Sequence, residues 1–309
     1  MSIAATRILE PGQIEAPAGL IRFLILAGRD LFARRADRFR FLAKGHSLGN
    51  YLAFLALLAE AQQVALDQFP ALSLPGPNEQ ALCREHGMPL LAARSWSRDP
   101  AWRVALSMIL QRMEAAALPS AACETIAELR QASATELEEK ADRILAGDLA
   151  DISPRELPFI ASALQVYWVR MTSSLGEGAF GRLEQGGICP VCGSYPSSGI
   201  VGSDASEPGL RYLCCSLCAS QWHMVRIKCS SCESTRGINH FILEGSSGAV
   251  KAESCDDCNA YLKLIYLEKD RQMDAMADDL ATLALDMLMD SEGKERGGPN
   301  LFYHPGGLP

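Results

Sequence analysis

Eight cysteines in the second half of the chain form four Cys-x-x-Cys pairs. They are Cys189/Cys192, Cys215/Cys218, Cys229/Cys232 and Cys255/Cys258. The spacing repeats, because 22 residues separate the first two pairs, 22 separate the last two, and 10 lie between the halves. A tetrahedral metal ion takes four ligands, and each C-x2-C-x22-C-x2-C unit supplies four sulfurs. The pattern therefore predicts two metal sites.

The spacing within a pair allows one tight turn to direct both sulfurs at a common point, and we call such a Cys-x-x-Cys turn a knuckle. Two knuckles on separate β-hairpins could hold an ion between them. Gly193 follows the first pair and tolerates the positive φ of such a turn. The other three knuckles end in Ala219, Glu233 and Asn259 and depart from that form. We expect the pairs to combine within each repeat, 189/192 with 215/218 and 229/232 with 255/258; a crossed combination is the alternative.

The cysteine pattern leaves the identity of the metal open. Four thiolates suit tetrahedral zinc and equally a mononuclear iron of the rubredoxin type. A thioredoxin-like redox pair is disfavoured, because it would need a Cys-x-x-Cys at a helix start within a βαβ unit. No nucleophile–base pair, phosphate-binding loop or pair of buried acids stands out, so we expect a protein that is not an enzyme.

Several other cysteine, histidine and tryptophan residues have structural interpretations. We interpret Cys214 as a buried strand thiol and Trp222 as a side chain packed over a metal-site core. Neither is needed to complete a set of four ligands. The remaining residues, taken as core, surface, loop or hydrogen-bonding positions, are Cys83, Cys123, His46, His223 and His240.

Composition and charge restrict the class of protein. The 309 residues carry a net charge of −8, and residues 181–270 hold eight Lys/Arg against ten Asp/Glu, which disfavours nucleic-acid binding. The longest uncharged apolar runs, Ser47–Ala59 and Leu157–Val169, are 13 residues each, too short to cross a bilayer. The N-terminus lacks the pattern of a secretory signal, so we expect a cytoplasmic protein, where cysteine pairs stay reduced.

The sequence before the cysteine region has the pattern of α-helices. Residues 1–19 form an extended arm, and apolar positions at three- and four-residue steps predict helices over most of residues 20–178. The first of these should run from Leu20 to Leu42. Ser133 with Glu136, and Ser153 with Glu156, each match a capping box. These patterns predict an N-terminal all-α domain.

The cysteine region reads as β-ribbon and is followed by one more helix. Short β-branched and aromatic runs at 210–213, 222–227, 238–243 and 261–267 alternate with turn residues. A methionine- and leucine-rich stripe predicts a helix over 271–289 that docks on the body of the protein. Four aspartates along that helix are interpreted as a solvated face: Asp274, Asp278, Asp286 and Asp290. A Gly/Pro-rich tail runs from Gly293 to Pro309.

The sequence resembles the FdhE family of formate dehydrogenase accessory proteins. The specific stretches are Cys189–Ser194, Leu213–Cys218, Trp222–Cys232, Lys251–Cys258 and Tyr261–Lys263, with weaker similarity at Gly45–Gln62, Asp278–Ala281 and Asn300–Phe302. Cys214 is a departure, since the family needs only Cys215 and Cys218 in that knuckle.

The resemblance implies a cytoplasmic maturation factor that binds the catalytic subunit of a respiratory formate dehydrogenase before export. It also favours iron over zinc at both sites. A rubredoxin-like electron-transfer protein and a zinc-ribbon nucleic-acid binder are the alternatives, and a homodimer is left open. We therefore predict an α+β protein with an α-helical domain (1–180), two tandem rubredoxin-like or zinc-ribbon-like modules (185–228 and 229–268), and a C-terminal helix and tail (271–309).

Overall fold

A computed structural model of the protein describes residues 21–202 and 209–303. The predicted arm over 1–19 and the last residues of the predicted tail lie outside this part of the chain. Within it, a helical N-terminal part precedes a β-sheet that carries the cysteine knuckles, and short helices follow. The predicted α+β class with tandem ribbon modules is confirmed.

The helical part packs around one central helix. Helix α7 (Leu157–Leu175) is buried without interruption from Leu157 to Val169. An apolar helix of this kind belongs at the centre of a bundle. The helices before the sheet are α1 (Leu31–Ala43), α2 (Gly49–Asp67), α3 (Pro77–Glu85), α4 (Ala101–Glu114), α5 (Ser120–Gln131), α6 (Ala134–Ala146) and α7 (Leu157–Leu175).

One of the two predicted capping boxes forms. The side chain of Ser133 accepts from the backbone N–H of Glu136, and the carboxylate of Glu136 accepts from the N–H of Ser133. The prediction at Ser153 and Glu156 was wrong, because α7 begins at Leu157 with no side-chain cap. The Glu156 carboxylate is instead bound by Lys140 at 2.6 Å, so a tertiary ion pair replaces the local cap.

The predicted helix from Leu20 to Leu42 was wrong in its first third. Helix α1 begins only at Leu31, and the short strand β1 (Leu24–Ile25) lies before it. This strand pairs with the strand that contains Trp222, and Leu24 is buried there. Its apolar residues match a helical spacing, but a neighbouring strand edge supplies hydrogen-bond partners that local periodicity does not reveal.

The strands of both cysteine modules belong to one eight-stranded sheet in the described residues. Its order is β1-β4-β3-β2-β7-β6-β5, and β8 also pairs with β7. Strands β2 and β7 run parallel, from Gly199 opposite Leu264 to Val201 opposite Tyr266, and this pairing joins the two modules. The strands after α7 are β2 (Pro196–Val201), β3 (Arg211–Cys215), β4 (Gln221–His223), β5 (Ile238–Phe241), β6 (Val250–Cys255), β7 (Ala260–Tyr266) and β8 (Glu295–Arg296).

The predicted C-terminal helix is divided into two pieces. Helix α8 (Ala277–Leu280) and helix α9 (Leu283–Ser291) are separated by a turn at residues 281–282. The turn changes which side faces inward, so Leu285 and Met289 are buried while Met287 is 74% exposed. The first half of the predicted apolar stripe packs on the main core as expected, and the second half does not.

The interpretation of the C-terminal aspartates as a solvated face was wrong for Asp274, Asp278 and Asp286, and the neighbouring Asp279 is buried as well. Their side chains are buried or nearly so, and each lies in an ion pair with a basic residue from another element. Carboxylates leave water only where such partners compensate the lost hydration. The pairs are Arg35 with Asp274, Arg38 with Asp278, Lys263 with Asp279 and Asp286, and Arg296 with Asp279 and Asp286.

No helix among the described residues has the length and hydropathy that a membrane crossing requires. The division into units 1–180, 185–228, 229–268 and 271–309 remains a prediction. One sheet spans the two cysteine modules.

Candidate metal centres

The eight predicted cysteines gather into two groups of four. We call Cys189, Cys192, Cys215 and Cys218 the first cluster, and Cys229, Cys232, Cys255 and Cys258 the second cluster. Within each cluster the four sulfurs all lie within 4.8 Å of one another. The combination within each repeat is therefore confirmed, and the crossed alternative is wrong.

The sulfur separations fit a tetrahedral ion. In the first cluster Cys189 and Cys218 Sγ are 3.5 Å apart, and Cys192 Sγ lies 3.4 Å from Cys215 and 3.7 Å from Cys218. A tetrahedron with metal–sulfur bonds of about 2.3 Å has edges of about 3.8 Å. Free thiols with no common partner would have no reason to converge in this way. The cluster could hold one thiophilic ion, and the donor set does not select between zinc and iron.

The second cluster has a similar arrangement. Cys229 and Cys258 Sγ are 3.7 Å apart, and the same distance separates Cys232 from Cys255. These values are also close to the edge of a tetrahedral four-sulfur site, about 3.8 Å. This cluster too could hold one ion.

All four knuckles share a backbone turn that ends in a left-handed residue. These residues have φ of +71° at Gly193, +54° at Ala219, +61° at Glu233 and +58° at Asn259. In the first knuckle the turn is closed by the N–H of Gly193, which donates to the carbonyl of Cys189 at 2.8 Å. Glycine adopts this region freely, whereas alanine and glutamate do so at a cost of about 1–2 kcal/mol. Three knuckles therefore form the same turn without the glycine that a positive φ favours.

The turns also bring backbone donors to the sulfurs. The N–H groups of Leu217 and Cys218 each donate to Cys215 Sγ at 3.4 Å, and that of Ser231 donates to Cys229 Sγ at 3.3 Å. Such bonds spread the negative charge of a thiolate ligand and orient it toward the ion. The Cys-x-x-Cys spacing implies backbone N–H donors near the sulfurs, and the structure shows which N–H groups they are.

The pKa values show how the thiols of the first cluster influence one another. Burial raises the pKa of Cys189 and of Cys215 well above the ordinary value. Burial opposes ionisation of Cys192 as well, but hydrogen bonds from Cys189, Cys215 and Cys218 lower its pKa. These shifts favour a negative charge on Cys192 over one on Cys189 or Cys215. A bound cation would stabilise all four as thiolates, which couples metal binding to proton release.

The thiols of the second cluster also differ from one another in pKa. A hydrogen bond from the backbone of Ser234 lowers the pKa of Cys232, while burial raises that of Cys258 to about 12. Burial raises the pKa of Cys229 as well. Of these three thiols, Cys232 therefore ionises most readily.

The first cluster lies inside the main hydrophobic core. Its four cysteines are at most 1% exposed and belong to the same buried group of side chains as helices α2, α4 and α7. Polar contacts fix both of its knuckles. The N–H groups of Leu91 and Ala93 donate to the carbonyls of Val191 and Cys192 at 3.0 and 2.8 Å.

Gln165 of α7 holds the other knuckle of the first cluster. Its Nε2 donates to the carbonyl of Ser216 at 2.8 Å. Its Oε1 accepts from Gln62 and Arg35, so the amide is fixed by buried partners on α1 and α2. Sequence reasoning missed this residue, although a glutamine in an otherwise apolar helix was the available signal.

The second cluster lies at the surface. Cys229 and Cys255 are buried, whereas Cys232 and Cys258 are exposed. Its knuckles are held by charged residues. Arg211 of β3 is fully buried, pairs with Glu253 of β6, and donates to the carbonyls of Val225 and Lys228 just before the third Cys-x-x-Cys pair.

Lys294 binds the last knuckle of the second cluster. Its Nζ donates to Asp256 Oδ1 at 2.8 Å and lies 3.4 Å from the side-chain oxygen of Asn259. Arg211 and Lys294 were both missed by sequence reasoning. A charged residue beside the apolar run of β3 was a signal for Arg211, and none marked Lys294.

The other candidate residues lie outside both clusters. Trp222 is buried in the core beside the first cluster and donates from Nε1 to the carbonyl of Gly186, in agreement with a packing role. Burial raises the pKa of Cys214 to about 12, which keeps it a neutral thiol, as expected of a buried strand residue. Cys123 is exposed and Cys83 half-buried. His46 contacts the carbonyl of Ala281, and neither His223 nor His240 joins a cluster.

Comparison with known proteins identifies the family. Three family models match in sequence, described as FdhE, N-terminal (residues 21–184), FdhE, central domain (188–226) and FdhE, C-terminal domain (227–303). The chain belongs to the FdhE family of formate dehydrogenase accessory proteins. The border between the central and C-terminal models of that family lies between the two cysteine repeats.

Similar FdhE proteins match nearly the whole chain. The Protein FdhE homolog of Pseudomonas aeruginosa is 44% identical over 306 residues, which cover 97% of this chain and 98% of that protein. The homolog from Edwardsiella ictaluri is 45% identical over 277 residues, 89% of each chain. The crystal structure of the FdhE protein from Pseudomonas aeruginosa matches with a TM-score of 0.85 at 41% identity, over 93% of this chain and 100% of that one.

Proposed function

We propose that this FdhE-family protein is a cytoplasmic maturation factor that binds the catalytic subunit of a respiratory formate dehydrogenase. Its membership in a family of accessory proteins supports this role. The charge of −8 and the two cysteine clusters favour a protein-binding scaffold over a nucleic-acid binder. In this proposal the protein has no catalytic activity of its own.

We further propose that each cluster binds one metal ion through its four thiolates, with iron preferred and zinc as the alternative. The observation that carries this is the convergence of eight sulfurs into two sets with tetrahedral spacing. A bound ion would crosslink two hairpins in each module, and iron would add a one-electron couple. The chain itself supplies the thiolates, their N–H donors and the anchoring of each knuckle.

The metal part is tested by elemental analysis and thiol counting of protein purified without air. We expect about two ions per chain and eight thiols protected from alkylation under native conditions. The element found decides between iron and zinc. A folded, metal-free protein with reactive or bridged cluster thiols would contradict the proposal.

The client part is tested by co-purification with the catalytic subunit of a respiratory formate dehydrogenase. The tagged, metal-loaded protein should retain the immature subunit, and the Cys123→Ser variant should retain it equally, since that thiol lies outside both clusters. Loss of formate dehydrogenase activity in cells that lack the protein should accompany this binding. If the anaerobically purified protein did not bind this subunit, the proposed interaction would be wrong.

The position of the second cluster favours a second candidate, electron transfer. An ion held by Cys232 and Cys258 would lie at the surface, where a redox partner could approach. Reversible bleaching of a visible iron–thiolate band by a physiological reductant would support this function. A zinc content of two per chain would exclude it.

A further inference from the structure

The two clusters differ in whether a reagent in solution can reach their sulfurs. In the first cluster every cysteine is at most 1% exposed, and the carbonyls of Val191 and Cys192 accept hydrogen bonds from the loop at residues 90–93. In the second cluster Cys232 and Cys258, the later cysteine of each knuckle, are exposed. Their neighbours Ser231 and Asp257 are exposed as well. An entry path for an incoming ligand therefore exists at the second cluster alone.

Access matters because an ion leaves a thiolate site by ligand substitution. An incoming donor atom must approach the ion or a leaving sulfur while protein thiolates detach one after another. At the second cluster this can begin at Cys232 or Cys258 with the fold intact. At the first cluster the same event requires the core to open, which occurs only in rare, high-energy local unfolding.

The strands of the second module are anchored by contacts that do not involve the ion. β6 pairs with β7 over five residue pairs, from Val250–Ile265 to Ser254–Tyr261, and β7 pairs with β2 of the first module. On one face, Ala252 and Tyr261 pack against Leu285 and Met289 of α9. These contacts would keep Cys255 near its position after the ion has left.

The knuckle that carries Cys229 and Cys232 is anchored in the same way. The buried pair of Arg211 and Glu253 fixes the chain before it, and Glu233 accepts from the N–H of Gly186 at 2.8 Å. Both halves of the second cluster are thus held by the rest of the protein. The site can lose its ion and take up another without losing its ligands' positions.

We propose that the second cluster is an exchangeable metal site, which accepts and releases a thiophilic ion in the native protein, while the first cluster retains its ion until the core unfolds. This rests on the proposed binding of one ion per cluster. Its physical basis is the exposure of Cys232 and Cys258 beside an ion-independent scaffold. The incoming ligand would be a soft donor, a chelator or the thiolate of another molecule.

The test follows metal release from the full-length protein with two ions per chain. The anaerobic protein is mixed with excess of the chromogenic chelator 4-(2-pyridylazo)resorcinol, and the metal complex is recorded over time. We expect one equivalent in a fast phase and the second at least about 100-fold more slowly. Cys232→Ser and Cys258→Ser should each remove or accelerate the fast phase and leave the slow one unchanged. Cys123→Ser should keep both phases.

Alkylation assigns each phase to a cluster. After the fast phase, N-ethylmaleimide and peptide mass spectrometry should find label on Cys229, Cys232, Cys255 and Cys258 and none on the first cluster. Cys123 provides an internal rate standard for an exposed thiol. Release of both ions at one rate, or labelling of the first cluster before the second, would overturn the inference and leave two-site binding intact. A protein that contains no metal at the outset would overturn the metal sites themselves and this inference with them.

Discussion

The first and second clusters have the same spacing and sulfur geometry, but they occupy different environments. The first is enclosed by the helical core, and backbone and amide groups of that core hold its knuckles. The second is half exposed, and charged side chains from β3 and the C-terminal segment hold its knuckles. One repeated motif can therefore give two sites of unequal stability and accessibility. We expect the same kind of change to have unequal effects at the two sites.

The largest expected difference is between Cys215→Ser and Cys258→Ser. Removing one ligand of the first cluster weakens or abolishes binding of an ion that crosslinks two buried knuckles, and we expect a loss of roughly 3–5 kcal/mol in the free energy of unfolding. Cys258 is exposed and the strands of the second module are anchored without the ion, so its loss should leave the module folded and cost roughly 2 kcal/mol or less. Denaturant unfolding with metal analysis measures both. Equal losses of unfolding free energy in the two variants would contradict the expected difference between the clusters.

Replacement of Arg211 tests whether the second cluster depends on its buried ion pair. Arg211→Leu leaves Glu253 without its cation in a buried position, and we expect a loss of about 3–5 kcal/mol. A matched Arg211→Leu/Glu253→Leu protein should recover much of it, because no charge is then left unpaired.

The pH dependence of the Arg211→Leu variant follows from Glu253. Burial already raises the pKa of Glu253, and Arg211 opposes that shift. Without Arg211 the pKa rises further, so the native state holds the proton over a pH range in which the unfolded state has released it. The destabilisation is therefore smallest below the ordinary glutamate pKa and grows as pH rises through the native pKa. A loss that is independent of pH would contradict this account.

Gln165→Leu tests the buried support of the first cluster. The change removes the donor to the Ser216 carbonyl and the acceptor for Gln62, so buried polar groups lose partners and the cost is about 1–3 kcal/mol. We also expect the slow phase of metal release to become faster and the fast phase to stay the same. A change in the fast phase alone would contradict the assignment of this residue to the first cluster.

Ala219→Gly should stabilise the protein slightly. Ala219 has a φ of +54°, which glycine adopts without strain, and the gain is reduced by the greater freedom of glycine in the unfolded chain. We expect an increase of less than about 1 kcal/mol in the free energy of unfolding. Asn259→Gly, at the equivalent turn of the second cluster, should be nearly neutral because asparagine tolerates this region. Thermal melts of the two variants provide the comparison.

The smallest effect is expected for Lys294→Ala. The Asp256 carboxylate of its ion pair is 55% exposed, so water and salt screen the attraction. We expect a slight fall in the melting temperature that disappears at high salt, together with a faster release of the exchangeable ion. A destabilisation larger than that of Gln165→Leu would show that the second cluster is held more firmly than its exposure implies.

The cysteine spacing by itself indicated two sets of four sulfurs. Paired sulfurs two residues apart can converge through tight turns, so the sequence predicted the grouping of Cys189 with Cys218 and of Cys229 with Cys258, and the structure excluded the crossed combination. The apolar periodicity likewise predicted most of the helices, including α7. These features are local, because each depends on residues close together in the chain.

Contacts between distant segments were decided only by the tertiary structure. The β1 strand at Leu24, the parallel pairing of β2 with β7 and the ion pair of Arg38 with Asp278 each join residues far apart in sequence. The same applies to the unequal burial of the clusters, since the helical core covers one repeat and leaves two sulfurs of the other exposed. Spacing fixes which atoms can meet, whereas burial depends on what the rest of the chain places around them.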